Sequence, residues 1–138
     1  MQALYVAKAT STGSGRDGHV QSSDDVLVHD LSVPKEMGGA GGDGTNPEQL
    51  FAAGYAACFH SALQLVARRE KVRVRGSSVT AEVGIGPVGE GFGLAVTLVV
   101  DLPDIDDETA RKLADAAHQV CPYSNATRGN IDVELRVA

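Results

Sequence analysis

The chain has 138 residues, 43% of them apolar and 4% aromatic, with no Trp, and carries a formal net charge of −6. That length and apolar content suffice for one folded domain, residues 1–138, with a core drawn from Ala, Val and Leu. Only 12 Lys and Arg stand against 18 Asp and Glu, so no basic surface for nucleic acid or an anionic membrane is expected. The N-terminus, MQALYVAKAT, lacks the charged and continuously apolar regions of a signal sequence, and no apolar run reaches the roughly 18 residues of a spanning helix. A cytoplasmic protein is the expectation.

Residues 3–10 (ALYVAKAT) and 28–33 (VHDLSV) alternate apolar and polar side chains, which predicts strands flanking the polar loop STGSGRDGH. Residues 34–44 read as loop, with glycines at 38, 39, 41, 42 and 44. A helix start follows: Asn46 as N-cap, Pro47 at the first helical position, Glu48 in the first turn and Gln49 three residues after the cap. This helix should run to about Glu70 and be buried nearly all round through Leu50, Phe51, Tyr55, Cys58, Phe59, Ala62, Leu65 and Val66.

Residues 72–86 and 92–102 alternate again and are joined by PVGEG, which predicts an antiparallel hairpin. A second helix begins near Asp104 or Asp106, carries the stripe Ala110, Leu113, Ala114, Ala117, Val120 and Cys121, and ends at Pro122. Residues 130–138 form a final strand. The order β, β, α, β, β, α, β is α+β.

The glycine loop invites comparison with a phosphate cradle, since helix N-termini attract anions. Gly39 and Gly44 have the P-loop spacing, but Thr45 stands where Lys is needed and Glu48 would repel a phosphate. The glycines are better read as serving close backbone approach or a shaped entrance.

The two cysteines are either inert core residues or reactive thiols. Cys58 lies about eleven residues into its helix among apolar neighbours, so a nucleophilic role needs a cation from elsewhere in the fold. Arg16, in a glycine-flanked loop, is the candidate, and Glu48 could be its carboxylate partner; the bland alternative makes each a surface charge. His60 is two residues from Cys58, about 200° around a helix, and cannot act as its base. A zinc site built from Cys58, His60, His118 and Cys121 meets the same geometric objection, and no metal is assigned. His19 and His29 read as surface residues.

The stretches GRDGHV, PKEMGGAGGDGTNPEQLFAAGYAACF, VGIGPVGEGFGL and HQVCPYSNATRGNIDV resemble the organic hydroperoxide resistance proteins of the OsmC/Ohr family, from the first strand to the last. The resemblance implies antiparallel sheets packed around two main helices in an interwoven homodimer. It implies a thiol peroxidase that reduces alkyl and fatty-acid hydroperoxides, with Cys58 peroxidatic, Cys121 resolving, and Arg16 and Glu48 the activating pair. It implies no bound cofactor, with dihydrolipoamide on a lipoylated protein as reductant. An apolar lining from Leu50, Phe51, Tyr55 and Phe59 would suit a greasy substrate. Cys58 should then titrate below the ordinary thiol value. Since Glu48 and Cys58 are ten residues apart on one helix, about 15 Å along its axis, the charged pair of one subunit is expected to serve the thiol of the other. The rival reading is a non-enzymatic module that carries a lipid or zinc ion.

Overall fold

The computed structural model describes residues 1–138. They form two compact units, Met1–Leu50 and Phe51–Ala138.

In the first unit β1 (Ala9–Thr12), β2 (His19–Ser22) and β3 (Val28–Asp30) make an antiparallel sheet in sequential order. The strand predicted over residues 3–10 is realised only at its end. Lys8 O still accepts from Ser23 N–H at 2.9 Å, but residues 3–7 have no ladder partner within the chain, and Leu4, Tyr5 and Val6 are exposed. Alternation signals a strand, but only a neighbouring backbone can complete one. Between β1 and β2 a 3-10 turn, Gly15–Asp17, carries Arg16. A second such turn, Lys35–Met37, lies within the predicted loop.

The glycine loop folds back along the segment that precedes it. Gly41 N–H donates to Val33 O at 2.9 Å, Thr45 N–H to Asp30 O at 3.0 Å, and Ser32 N–H to Thr45 O at 2.9 Å. A Cβ on Gly39 would lie 2.3 Å from Val33 O, and one on Gly44 would lie 2.5 Å from the Leu31 carbonyl carbon. Gly39 and Gly44 therefore serve close backbone approach, and Leu31 beneath them is the unit's one buried apolar residue.

Helix α1 spans Pro47–Arg69. Asn46 caps it, Oδ1 accepting from Gln49 N–H at 2.8 Å. It ends in a Schellman pair, Val72 N–H to Ala67 O and Lys71 N–H to Arg68 O, with Lys71 at φ 57° where glycine is usual. This cap draws Val72 out of the strand predicted to begin there. The helix buries Tyr55, Phe59, Ala62, Leu63, Val66 and Ala67. Contrary to the expected all-round burial, Ala53, Ala57 and Ser61, one stripe at four-residue spacing, are exposed in the single chain. By length and a mean hydropathy of 1.4 the helix is apolar enough to cross a membrane, although no unbroken apolar run of that length was expected; in the fold it is a core helix.

In the second unit β4 (Ser78–Val88) and β5 (Gly91–Asp101) form the long hairpin, turning at Gly89 and Glu90, so Pro87 and Val88 belong to the strand and not to the connection. Strand β6 (Val133–Val137) adds to β5 in parallel, which corrects the expectation of purely antiparallel sheets. A parallel neighbour needs a long crossover, and two helices supply it. Helix α2 (Asp107–Val120) is capped by Asp106, whose carboxylate accepts from Thr109 N–H at 3.0 Å. It buries Ala110, Leu113, Ala114 and Ala117, while Val120 departs from the predicted stripe and is 40% exposed. Pro122 does end α2, but it also begins the short helix α3 (Pro122–Thr127), which was not foreseen. The core joins Tyr55, Phe59 and Leu63 of α1 to Leu98 and Val100 of β5 and Leu113 of α2. Each such side chain contributes about 1.5–3 kcal/mol by burial.

Candidate functional site

Two elements bring the thiols together. Cys58 is presented half-buried from α1, and Cys121 lies fully buried in the single residue between α2 and α3. With φ −66° and ψ 124°, Cys121 ends one helix and caps the next. Its N–H donates to Ala117 O at 2.9 Å, and its sulfur accepts from Ser124 N–H at 3.5 Å. The two Sγ atoms are 3.6 Å apart and both thiols are free. A disulfide bond is about 2.05 Å long, so closure needs a movement of roughly 1.5 Å.

Burial pushes the Cys58 thiol above its ordinary range; the Tyr123 backbone N–H pulls it partly back, and Cys121 alongside raises it further. The expected low-titrating thiol is therefore not what the single chain displays, because desolvation outweighs the one favourable hydrogen bond.

Beside the cysteines stands an aromatic trio. Phe51 lies 6.0 Å from Tyr55 and from Tyr123, and Tyr55 lies 5.6 Å from Tyr123, centroid to centroid. Gly54 allows this, since a Cβ there would come within 2.7 Å of the Tyr123 hydroxyl oxygen. Next to the trio an open apolar cavity of about 630 Å³ is lined by Phe51, Phe92, Leu94, Pro122, Tyr123 and Ile131, among others. Of the four residues expected to line a substrate site, Phe51 is in this wall. Tyr55 and Phe59 are fully buried in the core. Tyr55 directs its hydroxyl to Ser124 Oγ at 2.8 Å and Thr127 Oγ1 at 3.0 Å. Leu50 belongs to the first unit, partly buried.

Within the first unit, Arg16 and Glu48 form a two-pronged ion pair: Nη1 donates to Oε2 at 2.8 Å and Nη2 to Oε1 at 2.7 Å. The Arg16 side chain is 39% exposed and that of Glu48 12%. The guanidinium holds the Glu48 carboxyl below its usual value, and the carboxylate raises Arg16 in turn. This fork is a fixed cation kept from collapsing onto other acceptors.

The four residues weighed as zinc ligands do not converge: no group of three or more His, Cys, Asp and Glu side chains stands together. His60 bonds Ser77 Oγ at 2.9 Å and His118 bonds Ser124 Oγ at 2.8 Å. Sequence reasoning missed α3, and with it Tyr123, Ser124 and Thr127. The signal was present, since a proline at a first helical position starts helices as readily as it stops them.

A profile described as OsmC-like protein matches residues 39–136. The organic hydroperoxide resistance protein of Xanthomonas axonopodis pv. citri is 57% identical over 136 residues, covering 98% of this chain and 95% of that one. The crystal structure of an organic hydroperoxide resistance protein from Elizabethkingia anophelis, with crystallant-derived thiocyanate bound, superposes with a TM-score of 0.94 at 52% identity, covering 100% of this chain and 99% of that one. That of the Bacillus subtilis protein OhrB gives 0.90 at 48% identity, covering 99% and 100%.

Proposed function

Because the chain belongs to the OsmC family and its relatives are organic hydroperoxide resistance proteins, we propose that it reduces organic hydroperoxides to alcohols with a pair of cysteines. The observation that carries this reading is the 3.6 Å approach of Cys58 and Cys121, with an apolar cavity lined by Pro122 and Tyr123, the two residues that follow Cys121 in the chain. The Cys58 thiolate attacks the terminal peroxide oxygen, the O–O bond breaks, and the alkoxide leaves as alcohol after taking a proton. Cys58 is now a sulfenic acid. Cys121 attacks its sulfur, a disulfide forms, and the hydroxyl departs as water, which forestalls over-oxidation. The disulfide is re-reduced by dihydrolipoyl groups on a lipoylated protein, in a cytoplasmic setting, and the cavity favours an alkyl or fatty-acid chain.

Three features support a homodimer with shared sites. The first-unit sheet has no apolar core beyond Leu31, an apolar arm at residues 4–6 is unpaired, and α1 leaves Ala53, Ala57 and Ser61 open. Sheets of three strands need a covered face. Glu48 precedes Cys58 by ten residues of helix, about 15 Å of rise, so Arg16 and Glu48 of one copy serve Cys58 of the other. There the guanidinium offsets desolvation of the thiolate and stabilises the departing alkoxide.

Consumption of cumene hydroperoxide with dihydrolipoamide, lost entirely in Cys58→Ser, is the expected result; consumption that survives this change removes Cys58 from the chemistry, and none in the unaltered protein overturns the peroxidase in favour of a lipid-carrying module. Mixing inactive Cys58→Ser and Glu48→Ala chains should restore activity in heterodimers, and no recovery would return the site to a single chain. Arg16→Ala should move the pH profile of Cys58 alkylation upward.

A further inference from the structure

Ser124 and Thr127 are the buried polar residues of the chain, 0% and 5% exposed, and lie one turn apart on α3. A helix of six residues has no stability of its own and must be held by its surroundings. What holds it is a line of hydrogen bonds reaching two other helices. His118 Nδ1 on α2 meets Ser124 Oγ at 2.8 Å, Ser124 Oγ meets the Tyr55 hydroxyl of α1 at 2.8 Å, and that hydroxyl meets Thr127 Oγ1 at 3.0 Å. Thr127 Oγ1 closes the line on Ser124 O at 3.3 Å, and no buried polar side-chain atom is left without a partner. Arg128 anchors the far end, donating to His118 O at 2.9 Å. The same Ser124 supplies the N–H that Cys121 Sγ accepts.

We propose that His118 is a positioning residue for disulfide formation: bonded to Ser124 Oγ, it fixes the first turn of α3 and thereby the Cys121 sulfur at attack distance from Cys58. The two-cysteine reading gives this geometry its use, but the geometry can be tested without a peroxide. An intramolecular attack depends steeply on placement, and an ångström of error is worth up to about a hundredfold in rate. Removing the ring's polar atom leaves Ser124 Oγ short of a partner and the turn free to shift.

The test uses Ellman's reagent on the full-length reduced protein. The half-exposed Cys58 reacts first, displacing one thionitrobenzoate anion and becoming a mixed disulfide with the other half. Cys121 then loses its proton to buffer and attacks the Cys58 sulfur; the Cys58–Cys121 bond forms, the mixed disulfide breaks and a second anion leaves. His118→Phe should slow release of the second anion by about tenfold or more, with the first within about twofold of the unaltered protein. His118→Asn, whose amide nitrogen can take the place of Nδ1, should recover most of the rate, and Ser124→Ala should reproduce the loss. Should Ser124→Ala not fold, the two His118 variants decide alone, since that ring is only partly buried. Unchanged second release in His118→Phe, or an Asn variant no faster than the Phe one, overturns the proposal. An unaltered protein that releases both anions but consumes no hydroperoxide would defeat the peroxidase reading and leave this one intact.

Discussion

Between Met1 and Leu50 a single apolar residue, Leu31, is buried, whereas Phe51–Ala138 contains every other buried apolar side chain. The first unit is held by backbone hydrogen bonds, close glycine approaches and one two-pronged ion pair. The second has a packed core and keeps its chemistry, two sulfurs, at the edge of that core. The two units are thus held differently: the first by polar geometry, the second by hydrophobic burial.

Oxidation gives the sharpest contrast. A Cys58–Cys121 disulfide spans a sequence separation of 63 residues, and the chain-entropy model makes that worth about 4 kcal/mol. Hydrogen exchange should show protection rising across α1, β5 and α2 in the oxidised protein and unchanged across β1–β3; a uniform rise would erase the distinction. Leu98→Ala, which empties a fully buried site on β5, should cost about 2–5 kcal/mol in chemical denaturation, against less than about 0.5 kcal/mol for the exposed Val28→Ala on β3. Equal losses would mean that the first sheet has a core this description misses.

The caps come next. Asp106→Ala deletes the acceptor for Thr109 N–H and Asn46→Ala that for Gln49 N–H, each at about 1 kcal/mol in the midpoint of unfolding. An effect no larger than that of the caps belongs to Glu48. Arg16 holds its folded pKa below 4.5, so the folded chain binds fewer protons than the unfolded one near that pH. The pair's contribution is complete well above pH 4.5 and fades as the pH falls through and below it. With Arg16 39% exposed, solvent screening limits it to about 1 kcal/mol or less. Glu48→Gln should flatten that acid slope in pH-dependent melting, and a slope that persists would assign it to other carboxylates.

Much of the fold from Asn46 onward was legible in local pattern. The Asn46-Pro47-Glu48 start, the long hairpin and the Asp106 start each follow from residue types whose preferences act within a few positions. The residues that failed are those whose fate depends on distant partners. Residues 3–7 alternate like a strand but have no ladder in the chain, Tyr55 looked like lining and is a buried, hydrogen-bonded core residue, and Pro122 looked like a stop and starts a helix.

By itself the sequence determined where α1 and α2 begin, which positions are apolar, and, through its likeness to a family, that Cys58, Cys121, Arg16 and Glu48 are the groups to follow. Only the tertiary structure decided that β6 runs parallel to β5, that α3 exists, and that His118, Ser124 and Tyr55 stand in one line behind Cys121. The reason is physical. Propensity and capping are energies of neighbours in the chain, whereas strand pairing, buried hydrogen bonds and the 3.6 Å meeting of two sulfurs are energies between residues up to 72 positions apart.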